Sequence, residues 1–202
     1  VIALVDYGIG NLRSVEKALS AVGAEVKLTS RVEDVLAAQK VVLPGVGAFG
    51  DGMKNLRASG MDAALREVCG RGIPLLGICL GMQLLFESGE ELGNFTGLGL
   101  LRGKVVAFPA GDLKVPQTGW NQIEPVGESP LLAGLPGGSY AYFNHGFYCD
   151  AADSADVLAW TDYGLRYASV VGRGNIYGAQ FHPEKSQSVG LRILQNFVEM
   201  RV

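Results

Sequence analysis

Basic clusters are missing from this chain. Its 202 residues hold 17 Lys and Arg against 20 Asp and Glu, a net charge of −3, and the cations form no block or stripe. That speaks against nucleic acid and against an anionic membrane surface as partners. No apolar run approaches the ~20 residues that a membrane-spanning helix needs. Near Val1 no cationic segment leads into an apolar stretch and a small-residue cleavage site, so no secretory leader is expected, and the expected compartment is the cytoplasm. Cysteine is scarce as well. Cys69, Cys79 and Cys149 are an odd number and share no metal-ligand spacing, so neither a disulfide framework nor a metal site is expected, and no cofactor is implied. Any histidine base must be one of only two residues, His145 and His182.

What the chain does have is apolar residues, 48% of the total, against 18% charged, the balance of an ordered globular protein of one domain spanning residues 1–202. Residues 1–6 (VIALVD) read as a buried strand. Asn11 to Val22 places Leu12, Val15, Leu19 and Val22 on one helical face, with Gly23 as the stop. Residues 25–29 and 40–43 read as strands around a short helix at Val32–Ala38. Met61–Arg71 reads as a helix ending at Gly72, and Ile73–Ile78 as the next strand. Strand alternating with helix predicts right-handed crossovers and a parallel sheet covered on both faces. After about residue 100 the pattern changes to strand-like runs: Lys104–Phe108, Gly119–Ile123, Ser139–Tyr148, Val157–Thr161, Arg166–Val171 and Ile176–Phe181. A final helix is expected over Val189–Val202. The predicted fold is α/β and three-layered: a central, mostly parallel sheet with helices on both faces and antiparallel additions in the C-terminal half.

The stretch Pro74–Phe86, PLLGICLGMQLLF, puts Cys79 where a strand turns into a helix. Sites in such sheets lie at the carboxyl ends of the parallel strands. Gly77 and Gly81 bracket Cys79 as glycines bracket the serine of a G-x-S-x-G elbow, letting the backbone turn and exposing the sulfur. A helix opening at Leu80 puts its positive end beside the sulfur, which favours the reactive thiolate, and leaves the Leu80 N–H free for an oxyanion. The competing reading is a small buried hydrophobe, the common fate of a free cysteine. Cys69 and Cys149 lack the bracket and read as structural.

A cysteine nucleophile needs a base, and the base needs an orienter. In GAQFHPEKS, His182 follows a strand, and Pro183 biases it towards extended geometry. In an extended segment His182 and Glu184 share a side, so the carboxylate can hold one ring nitrogen while the other faces the sulfur. A surface histidine beside a strand-ending proline is the alternative. His145, in YFNHGFY, reads as a satisfied structural histidine or part of a loop lining the site. GVGAFG at 45–50 matches G-x-G-x-x-G, but the following strand ends in Cys79 rather than the acidic residue a dinucleotide site wants. PGVG at 44–47 reads better as a glycine-rich turn beside the elbow, whose N–H groups supply a second oxyanion donor.

With PGVG, GICLGMQ at 77–83 and HPE at 182–184 together, the chain resembles the class I (triad-type) glutamine amidotransferases over nearly its whole length. DYGIGNLRSV at the start, PGVGAFGDGM, ESGEE at 87–91 and GWNQI at 119–123 resemble the branch that serves imidazole glycerol phosphate synthesis in histidine biosynthesis. The resemblance implies a Cys79–His182–Glu184 triad hydrolysing glutamine through a thioester, with an oxyanion held by the N–H of Leu80 and one near Val46 or Gly47. It implies glutamine contacts from Gly45, Gln83, Glu91, His145, Gly146 and Phe147. The alternative for Glu91 is a solvated charge in an acidic loop. It also implies a heterodimer with a (β/α)8-barrel cyclase that receives the ammonia, docked around the site mouth near Asn11, Trp120 and Lys185. Trp120 reads equally well as core. Two departures stand out. Gln117 and Thr118 replace a frequent His-Met, and Gly146 replaces a frequent serine, so only backbone contacts to glutamine remain there. Other readings are the glutaminase of vitamin B6 or anthranilate synthesis, a cysteine hydrolase with the same elbow, and a non-catalytic binding module. DYGIGN and GWNQ argue against the first two clients, and the intact Cys79, His182 and Glu184 argue against the module.

Overall fold

The computed structural model describes residues 1–201. Its first half alternates strand and helix: β1 (Ile2–Val5), α1 (Leu12–Ala21), β2 (Val26–Thr29), α2 (Val32–Leu36), β3 (Lys40–Leu43), α3 (Phe49–Ala58), α4 (Met61–Gly70), β4 (Leu75–Ile78) and α5 (Leu80–Leu84). Strands then dominate: β5 (Phe86–Gly89), β6 (Phe95–Thr96), β7 (Leu101–Ala107), β8 (Gln117–Pro125), β9 (Ser139–His145), β10 (Phe147–Ala151), β11 (Val157–Asp162), β12 (Arg166–Arg173) and β13 (Ile176–Ala179), before helix α6 (Gln187–Glu199).

The strands form one connected sheet system in the order β2-β1-β3-β4-β13-β12-β10-β7-β5-β6, with β11, β8 and β9 branching from β12. The block β2-β1-β3-β4-β13 is parallel throughout. From β13 to β12, β10 and β7, and from β12 through β11 and β8 to β9, the pairing is antiparallel. This is the expected α/β architecture, with the antiparallel additions in the second half.

Inside the edge strand β2, whose Lys27 and Leu28 stay exposed, the parallel strands β1, β3 and β4 are buried at every position because both faces are covered. On β1, Ala3 and Val5 join the core under α2, α3 and α4, which contribute Val35, Met53, Leu56, Leu65 and Val68. Ile2 and Leu4 point the other way, into the core under α1 and α6 with Val15, Leu19, Ile193, Leu194 and Phe197. Burying one such aliphatic side chain contributes roughly 1.5–3 kcal/mol, which is why period-2 apolar runs become strands here despite their length of only four residues. Gly23 and Gly72, at φ +86° and +79°, take the left-handed turns that stop α1 and α4.

Several expectations need correction. Residues 49–58 form α3, which the sequence reading left out. Gly50 and Gly52 hide it from a propensity count, yet both are packing positions: a Cβ at Gly50 would sit 2.7 Å from the Phe95 ring, and one at Gly52 3.1 Å from Leu84. The helix after Cys79 lasts only five residues, and Phe86–Gly89, inside the stretch read as helix and acidic loop, is β5 beside β7. Ser139–Tyr148 is not one strand. It breaks at Gly146, so that β9 pairs with β8 while β10 pairs with β7 and β12. The last helix starts at Gln187 and ends at Glu199; Val202, the expected end, lies outside the described residues.

Candidate active site

The carboxyl ends of β3, β4 and β13 lie side by side, with Leu43 opposite Gly77 and Ile78 opposite Ala179. The Cys79 N–H extends the ladder by donating to the Ala179 carbonyl at 2.8 Å. Then the chain reverses. Cys79 itself takes the unfavourable dihedral pair φ 54°, ψ −112° and α5 starts at the next residue. A non-glycine residue there carries strain of about 1–3 kcal/mol, which persists because packing on both sides fixes it. The bracketing glycines serve a purpose different from the one expected: neither has positive φ. A Cβ on Gly77 would lie 2.6 Å from the Gly81 carbonyl oxygen, and one on Gly81 would collide with the Leu43 carbonyl. They let β4, α5 and β3 close on each other, and the bend falls on the cysteine.

The sulfur's residue is only 6% exposed, but it lines a cavity of about 330 Å³ together with Leu80, Gln83, His145, Phe147 and His182. That volume is at the low end for small-molecule sites, about 300–1,000 Å³. Burial pushes the Cys69 thiol up to about 12, and burial, then the nearby Cys79, pushes Cys149 well above the usual thiol range. Both stay protonated at neutral pH and lie in the core.

His182 enters from the end of β13 with extended backbone, φ −98° and ψ 98°, as Pro183 demands. Pro183–Lys185 then winds into a single 3-10 turn, so Glu184 meets the ring by turning back rather than along an extended segment. Its Oε1 lies 2.8 Å from His182 Nδ1, with both side chains almost fully buried. The backbone of His182 is pinned by a donation of its N–H to the Tyr142 carbonyl and by the buried Ser186 hydroxyl, which donates to the His182 carbonyl at 2.7 Å and accepts from the Tyr142 N–H. Burial alone would pull the imidazole down. The neighbouring Cys79 sulfur, and Glu184 through its hydrogen bond and charge, outweigh burial and raise it to about 10. Nδ1 being held by Glu184, the nitrogen left for the sulfur is Nε2.

The glycine-rich turn runs beside α5. Gly45 allows no side chain, since a Cβ would meet the Tyr7 hydroxyl at 2.5 Å and Leu80 Cβ at 2.9 Å, whereas Gly47 needs its freedom for φ +107°. Val46 and Gly47 line the cavity facing Leu80, whose N–H opens a first turn that no side chain caps among the described residues.

Gln83 is 4% exposed and reaches the cavity wall; its Nε2 donates to the Phe147 carbonyl and to Gln180 Oε1, each at 3.1 Å. Both amide hydrogens are thereby used inside the protein, leaving its oxygen for a ligand. Glu91 also lines the cavity. Its Oε2 accepts from the Phe49 N–H at 3.0 Å, at the start of α3, and burial, opposed by this bond, raises its carboxyl. It is a fixed acceptor, not a loose charge in a loop. Gly146 and Phe147 line the cavity at the β9–β10 break. His145 is both things the sequence allowed: it borders the cavity, and its ring is satisfied by donating Nδ1–H to the Phe147 carbonyl at 2.7 Å with Nε2 3.2 Å from the Tyr167 hydroxyl. Burial lowers it to about 4, so it stays neutral.

Of the rim residues, Lys185 borders the cavity and stands 5.8 Å over the Tyr142 ring. Trp120 is 48% exposed on β8 and packs edge-on against Tyr142, so it is not core. Asn11 sits just before α1 with no side-chain cap to the helix, and it is not part of the cavity lining. Gly45 and Glu184 also stand one layer behind the lining. Gln180, Ser186 and Tyr7 were not anticipated. Ser186 follows the HPE run and Gln180 precedes it by two residues, but neither carries a spacing signal; only their partners across the fold reveal them. Among the described residues no three His, Cys, Asp or Glu gather in a way that would hold a metal, and no helix is long and apolar enough to cross a membrane.

The family model described as glutamine amidotransferase class-I matches residues 3–200. The imidazole glycerol phosphate synthase subunit HisH of Symbiobacterium thermophilum is 53% identical over 199 residues, covering 98% of this chain and 93% of that protein. The protein of the same name from Bacillus subtilis is 49% identical over 205 residues, covering 99% and 96%. Among solved structures, PurLQS from Thermotoga maritima superposes with a TM-score of 0.75 at 20% identity, covering 97% and 96%, a likeness of fold.

Proposed function

The chain belongs to the class-I glutamine amidotransferases, and on that premise we propose that it is the glutaminase subunit of an imidazole glycerol phosphate synthase, supplying ammonia for histidine biosynthesis. The observation that carries the reading is His182, held by the buried Glu184 at 2.8 Å and lining one cavity with Cys79.

In this reading His182 takes the thiol proton and Cys79 Sγ attacks the side-chain amide carbon of L-glutamine. The tetrahedral oxyanion accepts from the Leu80 N–H and from a backbone N–H at Val46 or Gly47. The C–N bond breaks, His182 returns its proton to the departing ammonia, and a glutamyl thioester remains on Cys79. Water, deprotonated by His182, cleaves the thioester to glutamate and the free thiol. Glu184 holds the ring and offsets its positive charge. The Gln83 oxygen and the Glu91 carboxylate are acceptors suited to the substrate ammonium, with His145, Gly146 and Phe147 shaping the wall and Gly45 supporting it from behind.

Ammonia released into water protonates and stops being a nucleophile, so it must pass under cover. The partner is a (β/α)8-barrel cyclase in a heterodimer, seated over the mouth beside Lys185, with Trp120 and Asn11 as further contacts outside the cavity lining. Three free thiols suit the reducing cytoplasm. The test is glutamine hydrolysis by the chain alone and with a cyclase subunit and its ligand. The expected result is a low rate alone, a raised rate in the complex, and none from Cys79→Ala in a complex that still forms. Ammonia release by Cys79→Ala, or peptide cleavage in place of glutamine hydrolysis, overturns the reading.

A further inference from the structure

We infer that Gln180 is a positioning residue that presents an N–H donor to the Cys79 sulfur, with the direction of that donor dictated by the Phe147 carbonyl. Gln180 follows β13 and is completely buried. Its Nε2 lies 3.8 Å from Cys79 Sγ, within range of an N–H···S bond.

A carboxamide side chain is ambiguous by itself, because oxygen and nitrogen exchange places on a half-turn. Here the ambiguity is removed from outside. The Phe147 carbonyl can only accept, so the atom of Gln83 that reaches it at 3.1 Å is the nitrogen. The second hydrogen on that nitrogen points at Gln180, so the Gln180 atom 3.1 Å away is its oxygen. The remaining end of Gln180, the NH2, therefore faces the sulfur. His145 reinforces the origin of the chain by donating Nδ1–H to the same Phe147 carbonyl. The Asn144 carbonyl, 3.9 Å from Sγ, is the opposing group: it accepts from a thiol but gives a thiolate nothing. Gln180 does the reverse, since a thiolate is the stronger acceptor.

The other titratable groups that face this sulfur do not compete near neutrality. Tyr7 at the end of β1, Tyr167 on β12 and Cys149 on β10 are all raised by burial and stay neutral. His182 after β13 is the one partner that carries charge, with Glu184 behind it, and Glu91 and Lys185 stand at the cavity wall. The Gln83–Gln180 pair thus adds a neutral, fixed donor to the thiolate form and binds the sulfur to the 145–147 wall.

This deepens the glutaminase reading, and its test does not depend on glutamine turnover. Cys79 alkylation by iodoacetamide is followed from pH 5 to 10 by mass analysis of its peptide, in the full chain and in Gln180→Glu and Gln180→Met. The carboxylate of Gln180→Glu turns a donor into a repelling charge, and alkylation at pH 7 should slow at least about tenfold, with the profile displaced to alkaline pH. Gln180→Met, of similar volume, should shift it the same way by less. In both, kcat for glutamine should fall with KM nearly constant. A folded variant, judged by circular dichroism, that keeps the wild-type alkylation profile overturns the inference; if Gln180→Glu does not fold, Gln180→Met alone decides. A shifted alkylation profile in a chain that never hydrolyses glutamine sustains this role and sinks the glutaminase reading instead.

Discussion

The Tyr7 hydroxyl donates to the Pro44 carbonyl at 2.6 Å, joining the end of the first strand to the start of the glycine-rich turn. Tyr7 is itself held from behind, its carbonyl accepting from the Asn55 amide of α3 at 3.0 Å. The turn that faces Leu80 is therefore anchored at one end and has freedom only beyond Gly45. Tyr7→Phe leaves the Pro44 carbonyl buried and unpaired, and should cost about 1–3 kcal/mol of stability in urea unfolding. Glutamine kcat should fall several-fold, as the turn loses its anchor. Unchanged stability and turnover would show the contact to be incidental.

Cys79 holds the bend at φ 54° against its own preference. Glycine has no such preference, so Cys79→Gly should unfold at higher denaturant than Cys79→Ala, by about 1–2 kcal/mol, although both should be inactive. Equal midpoints would mean the backbone relaxes once the sulfur is gone.

His182 is raised from its usual 6.5 to about 10 in the folded chain. A raised base binds its proton more tightly when folded. Its stabilisation is therefore complete below pH 6.5 and disappears as the pH climbs towards 10. Unfolding free energies at pH 6, 8 and 10 should decline in the wild type. Glu184→Gln should be less stable at pH 6 and should decline less over the same range, because part of what raises the ring has been removed. For turnover, His182→Ala should lose more than Glu184→Gln, since moving a proton is a larger task than orienting the ring. A wild type that gains stability from pH 6 to 10 would contradict the pairing.

The parts of this molecule that could be read from sequence are those with local causes. KVVL at 40–43 is a strand because four consecutive buried positions leave no other use for those side chains. The elbow was visible because glycines flank Cys79, although their reason proved to be contact with Leu43 and each other rather than dihedral freedom. HPE was legible because proline fixes the backbone at His182. What escaped has distant causes. The glycines of α3 are explained by Phe95 and Leu84, which no window around residue 50 contains. The β9–β10 break at Gly146 is set by two different partner strands, β8 and β7. Gln180 and Gln83 are 97 residues apart, and neither has a meaning until they touch.

The strand that delivers His182 is the last of the described strands, and it lies between β4 and β12, at the seam of the parallel and antiparallel halves. A nascent polypeptide emerging from the ribosome exposes β4 and its cysteine long before that seam can be filled. On the proposed roles the nucleophile has no base until β13 has been added to the sheet, so closing the sheet and arming the thiol are the same event.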